Sequence, residues 1–335
     1  MRYVDMEHYG GPDVMKIKRG PLPLCDNDEV LIQVVAVGVN RPDILQREGM
    51  YPAPEDASQV LGLEVAGVIT AVGRSAGPWQ VGQRVCALTN GGGYAEYVSV
   101  PALQCLPVPD NMDFVAMAAL PEALFAVWAN VYDRGTMGVG ETLLIHGGTS
   151  GIGSVAIQMA RITGVRVYAT AGTDDKCRMC EKLGALRGIN YHNEDFVEVM
   201  HQITGRGVDV ILDMVGGSYI QRNIEAASQD GRIISIGYQE SSIAKVDFLS
   251  VMLKRLTLTG STLRSRTATE KAVIARHVTR KIWPAVLAER INPLINQVFH
   301  LDDVAKAHRE LEAGFGMGKI VLVTDEYEKY STRSY

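Results

Sequence analysis

The sequence predicts an α/β protein in which a doubly wound parallel sheet is joined to a second, β-rich part. Two observations carry this. From about 121 to 265, short apolar runs alternate with segments whose apolar residues recur at helical spacing, the rhythm of a parallel sheet covered by helices. From 1 to 120 the apolar runs are short and are separated by glycine and proline, the rhythm of strands and turns.

In the first part, Val30 to Val39 alternates loosely through Leu31, Gln33, Val35 and Val37, as a strand does. Val65 to Val72 and Arg84 to Leu88 read as further strands, set apart by Gly73, Gly77-Pro78 and Gly82, and Asn90-Gly91-Gly92-Gly93 marks a turn. In the second part, Thr142 to His146 is a short buried strand. Ile152, Val155, Ala156, Met159 and Ile162 then repeat at helical spacing up to Gly164. Val165 to Ala171 reads as a strand, Lys176 to Leu183 as a helix, and Val208 to Met214, Gly231 to Gly237 and Leu256 to Gly260 as strands. The third part carries helical pattern over Ala268 to Ala288 and Asp302 to Ala313, then a last strand at Lys319 to Val323. It is expected to complete the first domain from about 266 onward, and the polar tail Asp325 to Tyr335 is expected to fray.

Composition narrows the function classes. With 33 basic against 38 acidic side chains, a net charge of −5 and no dense Lys/Arg stripe, the chain has no global attraction for nucleic acid or an anionic membrane. Its first residues, Met1 to Glu7, meet charge before any apolar run that would serve as a signal peptide. The most apolar stretch, Phe114 to Tyr132, is interrupted by Pro121 and Glu122 and is not expected to span a bilayer. Five scattered cysteines, an odd number, point to reduced thiols and a cytoplasmic protein.

Gly147-Gly148-Thr149-Ser150-Gly151-Ile152-Gly153 lies between a predicted strand and a predicted helix. There it places backbone N–H groups and a helix N-terminus beside a pyrophosphate with no side chain in the way, the setting of a dinucleotide-binding loop. The next strand ends Thr170-Ala171-Gly172-Thr173, without the acid that binds the ribose 2′-OH of NAD. Asp174 and Asp175 come slightly late and read as caps of the following helix that favour its positive end, whereas Lys176 is placed to meet a 2′-phosphate. The expected cofactor is therefore NADPH.

Two further segments, Asn40 to Tyr51 (NRPDILQREGMY) and Leu61 to Gly67 (LGLEVAG), are long and specific. Through them the chain, over about 1 to 323, resembles the medium-chain dehydrogenase/reductase superfamily. Within it the resemblance is to the zinc-free quinone oxidoreductases, the tumour-suppressor-inducible, zeta-crystallin-like branch. This implies a β-rich GroES-like domain, a Rossmann domain and a cleft between them. The zinc-dependent alcohol dehydrogenases carry a Cys ligand where this chain has Asn40 and a His ligand where it has Leu63. Leucine cannot coordinate zinc and an amide is a poor ligand for it. The four-cysteine lobe of those enzymes is also missing, because Val85 reaches Tyr94 through a short Gly-rich connection. Cys177 and Cys180 form a Cys-x-x-Cys pair without a second pair, and read as two helix-face cysteines. His146 reads as a satisfied buried histidine.

The resemblance also implies site residues. Ser150, Gly151, Ile152 and Gly153 match the glycine loop; Thr173, Lys176 and Tyr191 match the 2′-phosphate end; Gly217, Ile236, Gly237, Tyr238, Leu263 and Arg264 match the nicotinamide end. Tyr51 resembles a tyrosine that closes over nicotinamide and substrate, with Asn40 and Asp43 nearby. The residues themselves leave alternatives open: Arg264 and Arg266 as solvated loop charges, Tyr191 as a rim aromatic, and Asp43 as a holder of local backbone or of Arg41. The implied activity is NADPH-dependent quinone reduction by direct hydride transfer. Its rivals are an NADPH-dependent reductase of enone or enal double bonds and a non-enzymatic NADPH-binding protein. The absence of any Tyr-x-x-x-Lys speaks against a short-chain dehydrogenase. A homodimer or homotetramer is implied, pairing Rossmann edge strands.

Overall fold

Glycine and proline cut the first hundred residues into short segments, six of which form strands. The computed structural model describes residues 1–55 and 57–331. The N-terminal stretch gives strands β1 (Arg2–Met6), β2 (Met15–Arg19), β3 (Glu29–Val39), β4 (Glu64–Val72), β5 (Arg84–Leu88), β6 (Tyr97–Pro101) and β7 (Cys105–Pro107), with helices α1 (Arg41–Arg47), α2 (Phe114–Ala118) and α3 (Pro121–Val127). The middle gives β8 (Thr142–Ile145), α4 (Gly151–Ile162), β9 (Arg166–Ala171), α5 (Asp174–Leu183), β10 (Arg187–Asn190) and α6 (Phe196–Thr204). It continues with β11 (Val208–Asp213), α7 (Ser218–Ala226), β12 (Ala227–Ser235), α8 (Phe248–Lys254) and β13 (Thr257–Gly260). The rest gives α9 (Ala268–Lys281), α10 (Trp283–Leu287), β14 (Ile295–His300), α11 (Val304–Ala313), β15 (Lys319–Val323) and α12 (Tyr327–Ser331).

The chain divides into two units. The first is Met1–Phe125 with Arg264–Leu287 and the chain from Asn292 onward; the second is Ala126–Leu263 with Ala288–Ile291. The first unit is built on a seven-stranded sheet ordered β14-β15-β3-β4-β5-β7, with β6 also on β3, beside the β1-β2 pair. β3 is buried along both faces because α2 packs across it and β4, so the loose alternation read from its sequence does not become an exposed face. Gly67 marks the closest approach of β4 to β3: a Cβ there would meet the Gln33 carbonyl oxygen at 2.0 Å.

The second unit is a six-stranded sheet ordered β10-β9-β8-β11-β12-β13, every pair parallel. Counted within the unit this is the order 3-2-1-4-5-6 of dinucleotide-binding sheets, whose direction of winding reverses between β8 and β11. Ligands of such sheets sit outside the carboxyl ends of the strands at that reversal.

The apolar stretch is interrupted at Pro121, as its sequence suggests: α2 ends at Ala118, and Pro121 opens α3, where its missing N–H leaves no hydrogen bond unmade, before that helix continues into a π-helical segment, Trp128–Arg134. Phe114–Arg134 has the length and composition of a membrane span, but 94% of its most apolar window is buried inside the protein. One sequence expectation is corrected: the polar tail is more ordered than its composition suggests. α12 forms within it, and the Tyr330 ring stands edge-on to Phe114 at 5.3 Å; residues 332–335 lie outside the described residues.

Candidate active site

In the second unit the residues expected to hold a cofactor gather along one rim, past the carboxyl ends of the parallel strands. β8 runs into the glycine loop and α4. Ser150 caps that helix, its hydroxyl oxygen accepting from Gly153 N at 2.9 Å. Gly147 is left-handed (φ +71°), and a Cβ on Gly153 would meet the Gly147 carbonyl oxygen at 2.2 Å, so glycine is required at both. The first-turn amides of Gly151 and Ile152 have no acceptor within the helix. This is the backbone cradle a pyrophosphate needs, at the reversal point of the sheet.

β9 ends at Ala171, and Thr173 caps α5 by accepting from Lys176 N at 3.2 Å. Asp174 accepts from Asn190 Nδ2 at 2.6 Å and Asp175 pairs with Arg178, so both acids are engaged locally. Tyr191, which follows β10, brings its hydroxyl against Gly172, where a Cβ would meet it at 2.6 Å. Thr173, Lys176 and Tyr191 thus share one corner of the rim. Gly217 caps α7 with φ +51° after β11, and Ile236, Gly237 and the exposed Tyr238 follow β12, the Ile236 amide donating to Asp213 O at 2.8 Å. Leu263 is buried beyond β13. Cys177 and Cys180 are the buried residues of α5, and burial pushes the Cys180 thiol up to about 12.

A polar chain that sequence reading did not find ties these strand ends together. Thr170 donates to His146 Nδ1 (3.1 Å), His146 Nε2 to Asn223 Oδ1 (2.7 Å), and Asn223 Nδ2 to Asp213 Oδ2 (3.1 Å). The other Asp213 oxygen accepts from the amides of Val215 and Gly216 at 2.7 and 3.2 Å, shaping the turn after β11. His146 is fully buried and burial lowers its pKa, so it is the satisfied neutral histidine the sequence suggested.

In the first unit, Tyr51 lies beside Arg264, whose guanidinium carbon is 5.9 Å from the ring centroid. Arg264 is 5% exposed, which removes the solvated-loop alternative for it. Its Nε and Nη2 donate to Asn90 O at 3.0 and 2.8 Å and its Nη1 to Gln46 Oε1 at 2.7 Å. Gln46 Nε2 in turn donates to Gln59 O at 2.9 Å, and buried Lys271 donates to Arg264 O at 2.9 Å and to Asn90 Oδ1. None of these holders stood out in the sequence, because they are scattered polar residues that only folding assembles.

Asn40 has its whole side chain engaged. Nδ2 donates to Glu64 Oε1 at 2.9 Å and to Gly38 O at 3.3 Å, while Oδ1 accepts from Lys319 Nζ at 2.5 Å. Lys319 also pairs with buried Glu64, whose other oxygen accepts from the Glu122 amide at 2.9 Å. Leu63 is buried. Asp43 accepts from the amides of Asn40 (2.8 Å) and Gly62 (3.1 Å), so it holds local backbone rather than Arg41; burial raises its carboxyl to about 6. Burial, then the Glu64 charge, push Glu122 up to about 8. Among the described residues no group of three or more His, Cys, Asp or Glu is placed to hold a metal ion.

A glycine cradle at the reversal point of a parallel sheet, in one chain with a largely antiparallel β unit, defines a two-unit dehydrogenase or reductase. Residues 26–110 match the alcohol dehydrogenase GroES-like domain and residues 151–278 match the zinc-binding dehydrogenase family. The quinone oxidoreductase of Lama guanicoe is 30% identical over 330 residues, 96% of this chain and 97% of its own. The chain belongs to the medium-chain dehydrogenase/reductase superfamily, among its quinone oxidoreductases, and is an oxidoreductase. Escherichia coli quinone oxidoreductase, solved in complex with NADPH, superposes with a TM-score of 0.85 at 26% identity, covering 96% of this chain and all of that one (100%). CurK enoyl reductase superposes with a TM-score of 0.85 at 26% identity, covering 96% of this chain and 99% of its own.

Proposed function

We propose that this protein is an NADPH-dependent quinone reductase that transfers hydride directly and works without zinc. The observation that carries the reading is the environment of Asn40. Its carbonyl oxygen already accepts from the Lys319 ammonium, and Leu63 offers no donor atom, so the two positions expected to ligate zinc do not fit the metal. Without a metal to stabilise the alkoxide left when an alcohol loses its proton, the suitable hydride acceptors are electron-poor ones that need no such help. A quinone is one: its two-electron reduction product is a resonance-stabilised oxyanion that water protonates.

The cofactor corner supports NADPH. The amides of Gly151 and Ile152 would receive the pyrophosphate, and Thr173, Lys176 and Tyr191 the 2′-phosphate, with no free acid at the end of β9 to repel it. Gly217, Ile236, Gly237, Tyr238 and Leu263 would line the nicotinamide end, the dihydronicotinamide supplying the hydride. Tyr51 would close over the acceptor. Asn40, the other catalytic candidate, would act through the Glu64 carboxylate and Lys319 ammonium that its side chain joins. On this reading the first unit is the GroES-like substrate domain and the second the Rossmann domain.

A homodimer through β13 fits the same reading. That strand ends the parallel sheet, and Phe248, Leu249, Met252 and Leu253 of α8 nearby in the chain are 55–67% exposed. All five cysteines are free thiols, which supports a cytoplasmic location.

Kinship with an enoyl reductase favours a second reading, reduction of an activated carbon–carbon double bond. Steady NADPH consumption against a panel of quinones and enones, with elemental analysis of the same preparation, tests both. Turnover of quinones with no stoichiometric zinc supports the proposal. Turnover of enones alone favours the second reading, consumption of neither favours a binding protein, and activity lost to chelation removes the zinc-free mechanism.

A further inference from the structure

Arg264 is a buried cation whose hydrogen-bond partners carry no charge. Its three named bonds end on the Asn90 carbonyl and the Gln46 side-chain oxygen, and no described ion pair includes it. A guanidinium has five N–H groups, so one on each Nη is left over from these bonds. Burying a guanidinium without a contacting carboxylate carries a desolvation cost that its neutral partners offset only in part. The Asp43 and Glu122 carboxylates act on it only through space. The group is also held stiffly: Asn90 O takes two of its N–H groups, Gln46 is fixed through Gln59 O, and Lys271 holds the Arg264 carbonyl. A cation held in this way beside the Tyr51 ring is preorganised for negative charge that appears on a bound molecule.

We propose that Arg264 is a catalytic residue that stabilises the oxyanion formed on the acceptor, with Gln46, Asn90 and Lys271 as positioning residues, and is not a cofactor ligand. This rests on the quinone-reductase reading above. In the step concerned, bound NADPH would supply a hydride and be oxidised to NADP, and the quinone would be reduced to a hydroquinone monoanion whose oxyanion Arg264 would stabilise. Water then donates one proton to that oxygen.

The test uses the full-length protein and needs no turnover. 4-Nitrophenolate, a stable aryl oxyanion, and 4-nitroanisole, its uncharged ether, are titrated into wild type and Arg264→Gln in the presence of NADP. Wild type should bind the phenolate at least about tenfold more tightly than the ether, the scale of a charged hydrogen bond, and Arg264→Gln should lose that preference while its NADPH affinity stays within twofold or so. Equal binding of both probes by wild type overturns the proposal. So does an Arg264→Gln variant that keeps the preference but binds NADPH about tenfold more weakly, which would make Arg264 a cofactor ligand. If Arg264→Gln fails to fold, Arg264→Lys keeps one cation without the fork, and retention of the full preference there removes the claim for the guanidinium. In turnover, Arg264→Gln should lower kcat for quinones by about 10²–10³ with the KM for NADPH unchanged. A preserved phenolate preference in a wild type that reduces no quinone would sink the quinone reading and leave the oxyanion site standing.

Discussion

His308 Nε2 lies 3.0 Å from the Tyr94 hydroxyl, and the hydrogen between them belongs to the histidine. Arg47, which can only donate, approaches the other ring nitrogen at 3.2 Å, so Nδ1 is an acceptor and the neutral ring carries its proton on Nε2. Tyr94 then donates onward to Asp43 Oδ2 at 3.2 Å. This chain runs under the start of α1 and fixes the carboxylate that holds the Asn40 and Gly62 amides.

Burial, then the Arg47 charge, lower His308 from 6.5 to about 3. A histidine depressed by folding contributes stability that is present above pH 6.5 and is lost as pH falls from 6.5 toward 3. Between pH 7 and 5 that loss amounts to about 2 kcal/mol. Glutamine can accept and donate at this position but does not titrate, so His308→Gln should lose about 2 kcal/mol less than wild type over the interval. Urea unfolding at the two pH values measures this. Parallel losses in the two proteins would mean that His308 is not kept neutral by the fold.

Glu122 predicts the opposite slope. Its carboxyl is raised from 4.5 to about 8, so its contribution to stability is full below pH 4.5 and is lost as pH rises through 8. Glu122→Gln removes that titration. The variant should match wild type near pH 5 and exceed it at pH 8 by up to about 4 kcal/mol, an order-of-magnitude figure. A variant less stable than wild type at pH 8 would mean that ionised Glu122 is favourably held.

The two cases show where the sequence was informative. β3, β4, β5, β8, β9, β11, β15 and α4 were legible because each is a continuous apolar run or a helical stripe bounded by glycine. β10 and β14 were not: four residues, Arg187–Asn190, and the polar-interrupted Ile295–His300 acquire strand form from pairing with β9 and β15. The glycine loop was legible because backbone approach demands glycine at fixed positions. The Arg264 and His308 networks were not, since Arg264–Gln46 spans 218 residues and Arg47–His308 spans 261. The third helical run was read as one piece, but it divides at Ile282, where Trp283-Pro284 starts α10.

Lys176 should read the 2′-phosphate. It lies in the first turn of α5, beside Thr173 and the Tyr191–Gly172 contact, while both neighbouring acids are engaged elsewhere. A charge-assisted bond of this kind contributes about 1.5–3 kcal/mol, so Lys176→Ala should weaken NADPH binding by roughly 10- to 100-fold and leave NADH binding unchanged. Fluorescence titration with both cofactors decides it, and an equal loss for the two would place Lys176 away from the phosphate.

Tyr51→Phe should change turnover little. A true general acid supplies about 10²–10⁴ in rate. If Arg264 carries the oxyanion and water protonates it, the phenol adds only orientation, and its loss should lower kcat for simple quinones by about tenfold or less. Phenylalanine keeps the ring that the Arg264 guanidinium faces at 5.9 Å, so the packing around the cation survives the substitution. Arg264→Gln should therefore be the more damaging change of the two, and the double variant should be scarcely worse than Arg264→Gln alone if the tyrosine acts only by packing there. A thousandfold fall on Tyr51→Phe, with NADPH binding and the melting transition intact, would make Tyr51 the proton donor. It would also move the acceptor toward enones, whose carbanion-like product needs a proton delivered by the protein.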